Sequence, residues 1–181
     1  GPKVRVGVIN FEGNDNFEDK RLRRTFNKTH QKSMLFFQNR KLIEEDYEAD
    51  KELLLDFYNS RGYRNATILS DSIYYIDDKT LGVDIKVSEG NKYYIRNVSW
   101  VGNSKYDTDM LQRMLSVSKG DVYDKKSIHK RLGIGKEQNP DDMSVSSLYQ
   151  NDGYLMSQIE PSEVIIGKDS LDIEIKIFEG N

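Results

Sequence analysis

Apolar positions along the chain trace a pattern that runs through once and then returns. An opening segment carries Val4, Val6, Ile9 and Phe11, and a later one carries Tyr93, Ile95, Val98 and Trp100. Both alternate as a strand does, with one phase slip of the kind a β-bulge produces. Each closes on Gly13-Asn14 or Gly102-Asn103, a turn signal whose asparagine can help start the following helix. Leu22 and Phe26 then match Leu111 and Leu115, each pair four residues apart on one helical face. A second helix is predicted over residues 44–59, with Tyr47, Leu54, Leu55 and Tyr58 as core contacts. Its counterpart is interrupted. Residues 125–132 read as helix, Gly133, Gly135 and Pro140 break it, and Asp141 or Asp142 can cap a restart over 141–150. Both second helices end ahead of a glycine, Gly62 or Gly153, where a left-handed cap fits.

Strands follow over 66–76 and 156–166, with hairpin turns at 77–79 and 167–169. The closing strands alternate strictly, through Leu81, Val83, Ile85 and Val87 and again through Leu171, Ile173, Ile175 and Ile177. One of their faces is expected to be buried and the other wet. Pro161 cannot donate to a ladder, which puts its strand at a sheet edge or on a bulge.

The repeat is tight. Gly13 returns as Gly102, Gly62 as Gly153 and Gly90 as Gly180, offsets of 89, 91 and 90 residues (102 − 13, 153 − 62, 180 − 90). Two domains are expected, 3–90 and 91–181, joined near Gly90-Asn91-Lys92, with Gly1-Pro2 reading as a scar of tag removal. Each is an α+β unit of order β-α-α-β-β, two helices packed on a three-stranded mixed sheet.

Composition narrows the function classes. The chain of 181 residues has no cysteine, which excludes disulfides, thiolate nucleophiles and cysteine-based metal sites. A net charge of −3 argues against whole-chain nucleic-acid binding. The longest apolar run, Met34-Leu35-Phe36-Phe37, falls far short of the roughly 20 residues of a membrane helix. Catalytic constellations are poor. His30 and His129 stand at non-equivalent places, and Ser127, two residues from His129, does not face it on a helix. Glu44-Glu45-Asp46 and Asp141-Asp142 fit helix first turns, where carboxylates complement the dipole. No calcium loop, phosphate loop or metal-spaced histidine pair is present, so neither enzyme activity nor a cofactor is expected. Residues 20–43 hold eight basic side chains and no acidic one (Lys20, Arg21, Arg23, Arg24, Lys28, Lys32, Arg40, Lys41). Met34, Leu35, Phe36 and Phe37 lie within that stretch and make it a candidate protein or membrane contact.

The ordered set of signatures resembles POTRA domains, the tandem periplasmic modules that precede the barrel of BamA-like outer-membrane assembly factors. Its carriers are Phe11-Glu12-Gly13-Asn14, Tyr58-x-x-x-Gly62-Tyr63, Lys119-Gly120-Asp121-Val122-Tyr123, Tyr149-x-x-x-Gly153-Tyr154, and a Glu-Gly ending followed by Tyr93-Tyr94-Ile95. Residue usage rich in Asn, Lys and Tyr resembles BamA sequences of the Bacteroidetes, and the ending suggests a late pair of domains. Residues 27–43 and the broken second helix of the second copy depart from the family pattern.

The resemblance implies a periplasmic module without catalysis, part of an outer-membrane protein whose full-length chain ends in a membrane barrel. Its partners would be unfolded outer-membrane proteins and accessory lipoproteins, not nucleic acid. Binding would proceed by strand addition at the sheet edge formed by the strand after the second helix. The candidate contacts are Ile68, Ser70, Ser72, Tyr74 and Ile76 in the first copy and Ser157, Ile159 and Val164 in the second, besides Met34 to Phe37. The first copy, free of proline there, is the better expected receptor, because Pro161 blunts the second. Alternative readings are a POTRA pair of another barrel transporter or a cell-division protein, or a membrane-surface binder using residues 20–41.

Overall fold

The computed structural model describes residues 1–31 and 37–180. The chain divides into two compact units, Gly1–Tyr58 with Asn65–Gly90 and Asn59–Arg64 with Asn91–Asn181. The first unit runs β1 (Lys3–Glu12), α1 (Asp19–Arg23), α2 (Asn27–Gln31), β2 (Gln38–Asn39), α3 (Arg40–Asn59), β3 (Thr67–Tyr75) and β4 (Thr80–Ser88). The second runs β5 (Tyr94–Val101), α4 (Thr108–Leu115), α5 (Lys125–Leu132), a 3-10 turn (Gly135–Glu137), α6 (Val145–Asn151), β6 (Gln158–Ile166) and β7 (Ser170–Phe178).

The strictly alternating strands sit at the centre of their sheets, whose orders are β2-β1-β4-β3 and β5-β7-β6. Leu81, Val83, Ile85 and Val87 of β4, like Leu171, Ile173, Ile175 and Ile177 of β7, are at most 4% exposed. One apolar row per central strand therefore faces the helices. Each central strand pairs parallel with the first strand of its unit and antiparallel with the hairpin strand, the mixed sheet expected twice. The phase slips are real. Pairing shifts register between Val6 and Val8 and between Ile95 and Asn97. The first sheet also gains β2, two residues that pair with Lys3 and Val4.

Helix ends depart from the sequence reading in informative ways. α3 starts at Arg40, ahead of the predicted residue 44, because Asn39 Oδ1 accepts the Lys41 N–H at 2.8 Å. Its buried face carries Ile43, Tyr47, Leu54, Phe57 and Tyr58, and Leu55 is only half-buried. Asn14 and Asn103 brace their loops by donating to Phe17 O and Tyr106 O, while α4 is capped by Asp107, which accepts from Met110 N–H. The restart in the second copy is capped by Ser144, not Asp141 or Asp142. Ser144 and Ser147 form a reciprocal capping box, both buried. Gly133, at φ 77°, leaves no room for a Cβ against the Ser144 hydroxyl, so the break requires glycine there.

Candidate protein-binding edges

Among the described residues, β3 pairs with β4 alone. Its orientation follows from the hairpin, where the Ile76 N–H donates to Thr80 O at 2.8 Å. Backbone direction alternates along a strand, so Tyr74, Ser72 and Ser70, opposite Gly82, Asp84 and Lys86, bond to β4. Asp71, Ile73 and Tyr75, opposite the core row Ile85, Val83 and Leu81, turn their N–H and C=O groups to the open edge. Their side chains lie on the helix side of the sheet. A register shift between Ile68 and Ser70 leaves Leu69 as the extra residue.

Beside this edge runs the first half of α3. Tyr47 donates its hydroxyl to Asp71 Oδ2 at 2.6 Å, and Lys51 Nζ reaches the same oxygen at 3.2 Å. The Tyr47 hydrogen bond first, then the hydrogen bond and charge of Lys51, hold the Asp71 carboxyl below the usual carboxylate range against the opposing effect of burial. Arg40 stacks over the Tyr75 ring at 5.0 Å. Between helix and strand lies a groove of about 590 Å³, lined among others by Glu44, Tyr47, Glu48, Asp71 and Ile73.

The predicted contacts distribute over both faces. Ser70, Ser72 and Tyr74 lie on the face away from the helices, with Tyr74 donating to Asp84 Oδ1 at 3.0 Å. Ile68 is half-buried opposite Val87, and Ile76 is exposed at the hairpin. The open backbone row belongs to Asp71, Ile73 and Tyr75, and not to the contacts expected from the sequence. Counting two-residue parity back from the 77–79 turn finds that row. Phe37 is exposed, and Met34, Leu35 and Phe36 lie outside the described residues. Within the basic stretch, Arg21 covers the Phe57 ring at 4.5 Å.

In the second unit β6 likewise pairs, among the described residues, with β7 alone. Pro161 stands opposite Ile175 in a ladder without any register shift. A proline fits such a ladder only where its nitrogen faces away from the partner. The open row is therefore Ile159, Pro161, Glu163 and Ile165, with one donor missing. Glu163 accepts from Arg64 Nε and from the buried Tyr123 hydroxyl, both at 2.6 Å. Ser157 stands just before the strand, its hydroxyl buried, and Val164 is exposed on the outer face.

Several signature residues close the units rather than offer a surface. Tyr58 donates to Glu89 Oε2 at 2.7 Å, and Asn16 bonds Glu89 through its N–H and its side-chain amide. Tyr149 and the Lys105 N–H both donate to Glu179 Oε2 at 2.8 Å. The tyrosine before each Gly-Tyr and the glutamate of each Glu-Gly thus form one lock per unit. The Gly120–Tyr123 segment covers the start of β5, with Ile95 N–H donating to Asp121 O at 2.8 Å. Among the described residues no group of three acidic, histidine or cysteine side chains is placed to hold a metal ion.

The POTRA family model (surface antigen variable number repeat) matches residues 4–90 and again 93–180. The outer membrane protein assembly factor BamA of Neisseria meningitidis is 27% identical over 136 residues, covering 74% of this chain. The BamA of Nitratidesulfovibrio vulgaris is 24% identical over 183 residues, covering 100% of it. The chain spans only 17% and 21% of the length of these two relatives. Among solved structures, the POTRA3-5 fragment of Haemophilus influenzae BamA superimposes with a TM-score of 0.69 at 18% identity, covering 99% of this chain and 68% of that one. Haemophilus ducreyi BamA lacking POTRA domains 1-3 gives 0.62 at 19% identity, covering 99% of this chain and 29% of that one. Both confirm the fold. The chain belongs to the POTRA family, as two tandem domains of the kind that lie in the periplasm as part of the outer-membrane protein BamA.

Proposed function

We propose that the two domains, 3–90 and 91–181, act as a non-catalytic module of a BamA-like factor that assembles and inserts β-barrel proteins into the outer membrane. In this reading β3 receives an extended segment of a client or accessory lipoprotein by strand addition. The full-length chain would carry the membrane barrel beyond this module. The observation that carries the reading is the outward row of Asp71, Ile73 and Tyr75, unpaired among the described residues and flanked by the α3 groove. Main-chain bonds to such a row are indifferent to sequence, and the groove can take alternate side chains of the incoming strand. That combination suits a receptor for many different unfolded chains. β6 plays the lesser part because Pro161 withholds a donor from its row.

The test is an amide-resolved NMR titration with an extended peptide from an outer-membrane barrel protein. Shifts concentrated on residues 70–75, lost in Ile73→Pro, are expected. Ile73→Pro removes an outward N–H without touching the ladder to β4. Binding that survives this substitution, or shifts centred on Phe37, would overturn the assignment.

A further inference from the structure

α5 has a composition that its fold does not require. Its eight residues include Lys125, Lys126, His129, Lys130 and Arg131 and no acid, in a chain whose net charge is −3. Ile128 and Leu132 are buried, His129 and Arg131 are half-buried, and Lys125, Lys126 and Lys130 are exposed. Lys125 and Lys126 occupy the first turn, where the helix dipole disfavours cations. Lys126 and Lys130 stand four apart, a like-charge spacing that costs helix stability. Among the described residues no ion pair engages either of them. Arg131, by contrast, has structural work, donating to Leu115 O and Ser116 O at the end of α4.

These side chains line an open groove of about 450 Å³ within the second unit. Its cations are Arg61, Lys126, Lys130 and Arg131. Its one carboxylate, Asp124, accepts the Ser127 N–H as the cap of α5. Met143, 78% exposed, stands on the rim.

We infer that this groove is a docking site for an acidic, extended polypeptide segment carrying an apolar residue. Two unpaired lysines supply complementary charge, and Ser60 and Ser127 line the same groove. The adaptable thioether of Met143 offers the apolar contact. The groove is too large for a single small anion to fill. A membrane surface fits less well, because Met143 is the one strongly exposed apolar side chain of the lining, and interfacial helices present an apolar row.

The site is separate from β3, so its test is independent of the strand-addition reading. The probe is a short peptide of Asp and Glu with one central Leu, titrated by fluorescence anisotropy and by NMR of the Met143 methyl. Binding that weakens as salt rises is expected, with the methyl and the Lys126 and Lys130 amides shifting. Lys126→Glu with Lys130→Glu should weaken it by roughly tenfold, through two lost ion pairs and the like-charge contacts that replace them. Lys126→Gln with Lys130→Gln, which relieves the like-charge spacing and keeps the fold, should give a smaller loss. Equal affinity for a Lys-containing peptide of the same length, or no effect of the double reversal, would overturn the inference. So would tighter, lysine-dependent binding to phosphatidylglycerol vesicles, which would assign the groove to lipid.

Discussion

β3 and β6 occupy the same place in two copies of one frame, and they present different edges. Asp71 stands opposite Ile85 where Pro161 stands opposite Ile175, and Ile73 opposite Val83 where Glu163 stands opposite Ile173. In the first unit the open row keeps every donor, and its polar side chain is tied to the unit's own helix through Tyr47 and Lys51. In the second the row lacks one donor, and its carboxylate is engaged by Tyr123 and Arg64. Topology alone therefore does not decide whether an edge is available. The two copies share the core rows that fold the unit and differ in the residues of the edge.

The largest expected effect separates neighbouring positions of β3. Ser72 spends its N–H on β4, so Ser72→Pro should cost on the order of 3 kcal/mol, by loss of a ladder bond and a clash within the sheet. Ile73→Pro should cost about 1 kcal/mol, chiefly lost apolar contact. Urea unfolding of both variants checks this, and equal losses would refute the orientation assigned to the edge. A smaller effect comes from pH. Asp71 is held below its unfolded value near 3.9, so its contribution is present above that value and disappears as pH falls through the lower folded one. The half-exposed setting limits it to a few tenths of a kcal/mol up to about 1. Acid titration of stability should therefore flatten slightly below about pH 4 in Asp71→Asn, while the β6 edge has proline at the matching position. The smallest change in stability, within about 0.5 kcal/mol, is expected for Pro161→Val. That variant restores a donor to the β6 row, and peptide-induced shifts on 159–165 should then approach those on β3. Unchanged shifts would mean that Glu163 and its partners, not the proline, close this edge.

Much of this was readable in the chain because it rests on periodicity. Period-two alternation marks both central strands, the phase slips mark the bulges of β1 and β5 but not the one at Leu69, and Pro161 marks an edge. What escaped depends on contacts between distant residues or on weak local chemistry. The Ser144–Ser147 cap lacks the usual Glu or Gln partner, so the sequence alone favours the nearby aspartates. β2 is two residues long and carries no pattern. Phe57, not Leu55, completes the core face, because 54, 57 and 58 stand three and four apart on one side of α3 while Leu55 lies about 100° off it. The Tyr58–Glu89 and Tyr149–Glu179 locks join residues 31 and 30 apart, and no local signal announces such pairs. Of the candidate edge, the strand was legible and the outward row was not, since that row follows from the register of the hairpin.

The central strand of each sheet is also the last one in its unit, and this sets an order of events for a chain made from its N-terminus. Before β4 exists, β3 has no partner and β1 has only the two residues of β2. The side chains of Asn10 and Asp84, bonded at 3.0 Å, are 74 residues apart. Neither unit can therefore be half-built, and its closing glutamate is delivered in the same final stretch. Each unit thus stays open until its last strand arrives. The same ordering leaves β1 and β3 exposed to wrong pairing for most of the synthesis of each unit, with β5 and β6 in the same position until β7 appears.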